Sequence, residues 1–407
     1  SFLYPCLNLK TNEMKTLFSI LVIPFLFSCG EETIKNLTTE KPPEILVDMP
    51  IAQQPVKGPI IELVFCLDAT GSMSGLIATA KEKIWSIVSE LSQTQPAPRI
   101  KLGMVFYRDR GDAYITKVIP MTLDIDSVYT ELLAIQAGGG GDTPESVNQA
   151  LHEAVSQMNW TRGNKVYKTV FLVGDCAPHM DYKNDVKYQV TCKLASEKGI
   201  TLNTIKLGTQ CTDAISHFKA IAECSNGEYQ QLGQHAEDLV IKTPYDDSIN
   251  YYSKQIDASK MYYGSSSEQS FNYSRKSKAM KIYSEASSSA NTDRAKYNMS
   301  ESGRDNWFGK KELINDLIAN KISLDSISED ELPAEIKKIK KANRKQYVLD
   351  KKKNRDNNLI QLKGLNLKKA EYIKAEIAKN PAAISFSGEI IITMKEQAKE
   401  NGVIIGK

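Results

Sequence analysis

A carboxylate, two hydroxyls and a glycine crowd into five residues, Asp68-Ala69-Thr70-Gly71-Ser72, at the end of an apolar run from Ile61 to Leu67. Such side chains offer a ligand only oxygen. With no His or Cys among them they suit a hard cation, Mg²⁺ or Mn²⁺. Two distant stretches add oxygen of the same kind. Asp142-Thr143 follows four glycines, Gly138 to Gly141, and precedes Pro144, which suits the first turn of a helix. Asp175 follows a second apolar run, Val170 to Gly174.

The elements that must position these residues alternate between strand-like and helical patterns. Ile61–Leu67, Ile100–Phe106, Tyr114–Ile119, Val170–Val173, Ile200–Leu207 and Glu228–Gln230 read as six strands, the third an edge because Pro120 cannot donate to a ladder. Leu76–Leu91, Val128–Ile135, Pro144–Met158 and a stretch around His217–Ala222 read as helices. This alternation predicts an α/β fold, a doubly wound, mainly parallel six-stranded sheet with helices on both faces. In such a sheet the first and fourth strands are neighbours where the strand order reverses, and ligands bind outside their carboxyl ends. Three loops would then meet at one spot, with the glycine run letting backbone come close.

With these residues in place, Asp68-x-Thr70-x-Ser72, Thr143 and Asp175 resemble the metal-ion-dependent adhesion site of the von Willebrand factor A domain, over about residues 59–232. Phe106-Tyr107-Arg108-Asp109, Gly140-Gly141-Asp142-Thr143-Pro144-Glu145 and Val173-Gly174-Asp175-Cys176-Ala177-Pro178-His179 are similar to the subgroup with bacterial A-domain proteins and A domains attached to alpha-kinases. No kinase motif accompanies them. The resemblance implies neutral hydroxyl ligands from Thr70, Ser72 and Thr143, with Asp68 and Asp175 acting mostly through bound water. The cation would stay electrophilic and accept a carboxylate from a partner protein, without catalysis.

Other chemistries use the same residues less completely. Asp68 capping a helix explains neither Thr143 nor Asp175. A Mg-dependent phosphotransferase of the haloacid-dehalogenase type would use Asp68 as nucleophile. It also needs a positioned Lys and a later acidic pair, and the Gly138–Asp142 loop offers neither. A phosphate-binding P-loop would need Gly-Lys-Ser/Thr after the glycines. Arg110-Gly111-Asp112, a tripeptide that integrins can read, continues out of a strand and is expected to be a turn. His152 and His179 read as surface or loop histidines, having no second His at ligand spacing. Trp85 and Trp160 read as packing residues.

The whole chain bounds the setting. A formal net charge of +3 over 407 residues gives no reason to expect nucleic acid. Seven cysteines include no CxxC pair, so no zinc cluster is expected. Cys66 and Cys176 read as buried thiols. Cys211 and Cys224 flank a helix that would hold them apart, so no disulfide framework is expected. Residues 1–13 precede Met14-Lys15, which opens a short apolar stretch ending in Leu26-Phe27-Ser28-Cys29. Residues 14–28 read as a signal and 29–58 as a polar, Pro-rich tether, with 1–13 an upstream artefact. The stretch resembles a bacterial lipobox. That implies a lipid on Cys29 and a place in the cell envelope, at the outer membrane, periplasmic or surface-exposed.

Residues 59–257 read as the A domain, its last helical pattern running from Ala236 to Gln255. Residues 258–303, rich in Ser and Tyr, read as an irregular or partly helical arm, and 304–407 as a mainly helical extension. Lys311–Asn320, Leu332–Leu349 and Leu359–Ala378 are its predicted helices. The basic run Lys337–Arg355 reads as a solvated helix face. Ile384–Thr393 and Val403–Ile405 read as a terminal β-pair.

Overall fold

The computed structural model describes residues 58–141, 143–163, 166–379 and 385–400. The expected signal, Cys29, nearly all of the tether, Asp142 and Val403–Ile405 lie outside the described residues.

Six strands form one sheet: β1 (Ile60–Asp68), β2 (Arg99–Tyr107), β3 (Thr116–Thr122), β4 (Val166–Gly174), β5 (Thr201–Leu207) and β6 (Tyr229–Leu232). Their spatial order is β3-β2-β1-β4-β5-β6. Only β3 runs antiparallel, against β2 at one edge. β1 pairs in parallel with both β2 and β4, Leu67 standing opposite Phe106 on one side and Val173 on the other. The reversal of strand order therefore falls between β1 and β4, and both carboxyl ends open there.

β1 is buried on both faces, hence its unbroken apolar run. Ile61, Leu63, Phe65 and Leu67 point into one core and Val64 and Cys66 into the other. The first face is covered by α1 (Ser74–Leu91) and α2 (Ile125–Ala134). The second is covered by α3 (Val147–Ser156), α4 (Tyr188–Lys198) and α5 (Ala214–Glu223). Nothing was expected at α4, yet Tyr188, Cys192 and Ala195 recur at helical spacing and bury its inner side.

Residues beyond β6 depart most from expectation. The run from Ala236 is an irregular strap, and α6 starts only at Asp246 (Asp246–Ala258). Pro244 disfavours helix before it, and Thr243 pairs with the Asp246 carboxylate at 2.6 Å. The expected irregular arm is instead α7 (Ser266–Glu285) and α8 (Ser288–Met299). Ser265 and Glu268 close α7 with a reciprocal capping box, and the Ser287 side chain caps α8. Their periodicity is weak because few positions are apolar, but α8 packs on α1 and α7 on α2, burying Ile282, Ala290 and Tyr297 in the first core.

Next come α9 (Glu301–Phe308), α10 (Leu313–Ile318) and α11 (Ala334–Lys337). Two expected helices merge into α12 (Lys341–Lys379), 39 residues long, or about 58 Å at 1.5 Å per residue. The stretch between them, Asp356-Asn357-Asn358 included, stays helical; the modest helix cost of Asn and Asp is outweighed by packing against α6. The expected terminal strand is α13 (Phe386–Glu400). Phe386, Ile390, Met394 and Ala398 recur every fourth residue and enter the first core, so helical period overrides β-branched content. Gln397 joins Asn203 and Tyr167 in a buried hydrogen-bonded group.

The expectation of no disulfides fails. Cys176 pairs with Cys211, their Cα atoms 5.1 Å apart, and Cys192 with Cys224 at 5.8 Å. Cys211 and Cys224 do stand apart across α5, but Cys211 meets Cys176 just after β4 and Cys224 meets Cys192 on α4. Among the described residues Cys66 is a buried free thiol, as expected, whereas Cys176, expected to be one, is oxidised.

Candidate cation site at the carboxyl edge of the sheet

Asp68 ends β1 fully buried. Its Oδ1 accepts the Thr70 backbone N–H at 2.8 Å and the Thr70 hydroxyl at 2.7 Å. Its Oδ2 has no hydrogen-bond partner. The Thr70 and Ser72 hydroxyls are 3.4 Å apart. Ser72 is exposed in the middle of a short 3-10 turn, Gly71–Met73, leading into α1.

Asp175 follows β4 on the neighbouring strand. Its Oδ2 accepts from Gln234 at 3.1 Å, while its Oδ1 is buried without a partner. A Cβ at Gly174 would collide with the Tyr107 hydroxyl and stand 3.3 Å from Asp68 Oδ2, so the absent side chain is what lets Asp68 lie over the end of β4.

The glycine run does what its composition promised. Gly138 N–H donates to Ala69 O at 3.0 Å, and Gly71 N–H donates to Gly139 O at 3.2 Å, zipping this loop to the Asp68–Ser72 loop. Gly139 and Gly140 take φ of +85° and +89°, where a side chain is strained. Thr143, three residues further on, is exposed. Its hydroxyl makes no hydrogen bond to the Asp68 loop among the described residues. Asp68, Thr70, Ser72 and Asp175 are thus brought together, while Thr143 is exposed and joins them through no hydrogen bond among the described residues.

Several supporting residues escaped the sequence reading. Arg108 donates to Ala69 O at 3.0 Å and to Gln136 O at 2.6 Å. Asp112 accepts the Gly140 N–H on both oxygens. Arg110 lies 4.0 Å over the Tyr182 ring and pairs with Asp185. Arg110-Gly111-Asp112 is therefore a turn whose two charged side chains are engaged internally. His179 lies on a loop, as expected, but is buried there. It stacks on Tyr182 at 3.9 Å, pairs with Asp181 at 2.8 Å and stands 3.4 Å from Asp109. The signal was present in Phe106–Asp109 and Asp175–His179, but as a motif rather than as a contact.

Electrostatics set this edge apart. Burial pushes Asp68 up to about 7, the Asp175 charge adding to it, against the lowering pull of Thr70's two bonds and of Arg108. Glu145, just before α3, is pushed up to about 9, first by burial and then by Asp68, Asp109, Asp175 and Asp112. Among the described residues no lysine amine hydrogen-bonds Asp68, and Lys206 on β5 donates to the Gly208 and Gln210 carbonyls.

Among the described residues no three His, Cys, Asp or Glu side chains converge closely enough to hold a metal by themselves. The donor set nevertheless fits a hard cation. Two buried carboxylate oxygens lack any hydrogen-bond partner, and two hydroxyl oxygens lie alongside.

Residues 62–244 match the family described as von Willebrand factor A domain. The match spans the six strands and the helices against them, and ends before α6. A 120-residue stretch is 29% identical to a putative ariadne-like RING finger protein R811 of Acanthamoeba polyphaga mimivirus, covering 30% of this chain and 11% of that protein's length. Among solved structures, proximal thread matrix protein 1 from the mussel byssus is similar at 14% identity and a TM-score of 0.34, over 44% of this chain and 42% of that one. A form of the same protein with a zinc-occupied MIDAS motif is similar at 15% identity and a TM-score of 0.33, over 43% and 42%.

Proposed function

We propose that this protein binds another protein through a divalent cation, Mg²⁺ or Mn²⁺, held by Asp68, Thr70, Ser72, Thr143 and Asp175, and performs no catalysis. The observation that carries the reading is the pair of buried, partnerless oxygens, Asp68 Oδ2 and Asp175 Oδ1, at the ends of adjacent strands. A bound cation would supply an open coordination position, and a partner's carboxylate is the ligand that suits it. Thr143, on the exposed side, completes the set as the loop's hydroxyl. The A-domain family, whose members bind proteins, agrees with this reading.

The setting we propose is the bacterial cell envelope, with the chain anchored by lipid on Cys29. Two disulfides support an oxidising compartment, where such bonds persist. Among the described residues no helix is long and apolar enough to cross a membrane. Adhesion and envelope scaffolding both fit, and surface labelling of intact cells separates them.

Titration calorimetry on the whole chain tests the site. Wild type should bind Mg²⁺ or Mn²⁺, and Asp68→Ala should abolish the signal. Unchanged binding in Asp68→Ala would sink the assignment. Partner capture from envelope extract should disappear with EDTA.

A further inference from the structure

We propose that the Cys176–Cys211 disulfide positions the cation site, so that the site holds its ion well only once this bond has formed. The inference rests on the reading above and deepens it, naming what regulates that site.

Cys176 directly follows Asp175, and Cys211 lies in the loop between β5 and α5. The β4–β5 ladder ends at Gly174 opposite Lys206. Beyond it the two loops are joined covalently, with 5.1 Å between the cysteine Cα atoms. The Cys211 loop is itself fastened to the end of β6. Lys206 donates to the Gly208 and Gln210 carbonyls, Gln231 donates to Gly208 O at 2.7 Å, and Gly208 N–H donates to Leu232 O at 2.9 Å. Gly208 also leaves room for Gln234: a Cβ there would stand 1.9 Å from Gln234 Oε1. Gln234 in turn donates to Asp175 Oδ2 at 3.1 Å. Asp175, Cys176, Cys211, Gly208 and Gln234 therefore close a ring whose cross-link sits beside the aspartate. The ring fixes Oδ2 and leaves Oδ1 for the ion. Cys211 takes φ of +49°, which a residue with a side chain adopts at a cost. In the reduced chain this loop is free to relax, and the seat of Gln234 relaxes with it.

The other disulfide provides an internal contrast. Cys192 is on α4 and Cys224 just after α5, and the next residue, Ser225, accepts the Leu202 N–H near the start of β5. That bond braces the amino edge of the sheet, away from Asp68 and Asp175. General stabilisation is common to both bonds; aiming Asp175 belongs to Cys176–Cys211 alone. The bond forms by thiol–disulfide exchange with a small-molecule or protein disulfide. One S–S bond breaks in the oxidant and one forms in the chain, and the two cysteine protons and two electrons leave with the oxidant as its two thiols. In the oxidising setting proposed above, the site is completed only after the chain has reached that compartment.

Mn²⁺ calorimetry on the whole chain is the test, with metal-free melting curves beside it. Cys176→Ser combined with Cys211→Ser should lower the affinity about tenfold or more, the loss typical of removing a metal ligand's outer support. Cys192→Ser combined with Cys224→Ser should keep the wild-type affinity. A fall of less than about tenfold in the first pair overturns the proposal, and so does an equal fall in the second pair. If the first pair is already unfolded before metal is added, the bond is a structural prop and the proposal falls as well. Asp68→Ala separates the two readings. If wild type binds Mn²⁺ and Asp68→Ala does not, undiminished binding without the Cys176–Cys211 bond defeats this inference alone. If wild type binds no Mn²⁺, or Asp68→Ala binds it equally well, both readings fall.

Discussion

Two groups of buried carboxylates in this molecule meet opposite fates. In the helical region, Asp257 on α6 is fully buried, and both its oxygens are served. Trp307 donates at 2.8 Å, Arg294 and Tyr283 each at 2.9 Å, and Lys260 forms an ion pair. Burial alone would raise Asp257, but Lys260 and Arg294 outweigh it and hold the carboxyl well below the usual range. At the carboxyl edge of the sheet, Asp68 is as buried and Glu145 nearly so, yet each keeps an oxygen with no donor and each is pushed upward. Burial is common to both, so it does not account for the difference. One group is completed by the chain itself. The other is left to be completed by something the chain does not encode.

Each side of that contrast can be broken by one substitution. The largest effect should come from Arg294→Leu. The guanidinium is buried and bonds Asp126 on α2 as well as Asp257. Losing it leaves half-buried Asp126 without its partner and fully buried Asp257 with one cation fewer, at a cost of about 3 kcal/mol, to be read from the denaturant midpoint. A loss below ~1 kcal/mol would show that this network is not self-completing.

The opposite sign is expected at the cation site without metal. Asp68 titrates near 3.8 when unfolded and about 7 when folded. Between those values the folded state holds a proton that the unfolded state has lost, so stability falls as pH rises through the window. Glu145 extends the fall towards about 9. At pH 8, Asp68→Asn should therefore stabilise the metal-free protein, by on the order of 2–4 kcal/mol. Thermal melts at pH 5 and pH 8 check this. The gain should be less than half as large at pH 5, roughly 1–2 kcal/mol, and an equal gain at both would refute the electrostatic cause.

Asp112 should give the smallest effect. It is only half-buried and accepts backbone N–H groups from Gly140 and Asp109. Asp112→Asn keeps one such acceptor, so its cost should stay under about 1 kcal/mol. A larger loss would place Asp112 with the buried groups.

Much of the sheet could be read from the chain. Continuous apolar runs ending in Asp68 and Gly174 are what a strand buried on both faces must look like, and they put the two motif aspartates side by side. Glu145 was invisible as a buried carboxylate, because a Glu just before a helix looks ordinary until the absence of donors around it is known. The disulfides were missed for a related reason: Cys176 and Cys211 are 35 residues apart, and only the neighbouring ends of β4 and β5 bring them together. Polar helices α7 and α8 were illegible because their order comes from tertiary packing rather than from their own periodicity.

Asn203, on the fifth strand, bonds Gln397 across 194 residues of chain. During synthesis the sheet's first face therefore cannot be finished when β6 leaves the ribosome. It must wait, apolar side chains uncovered, until α13 has emerged. A chain interrupted within α12 should accordingly present a substrate for chaperones and proteases, although every strand of its sheet has already been made.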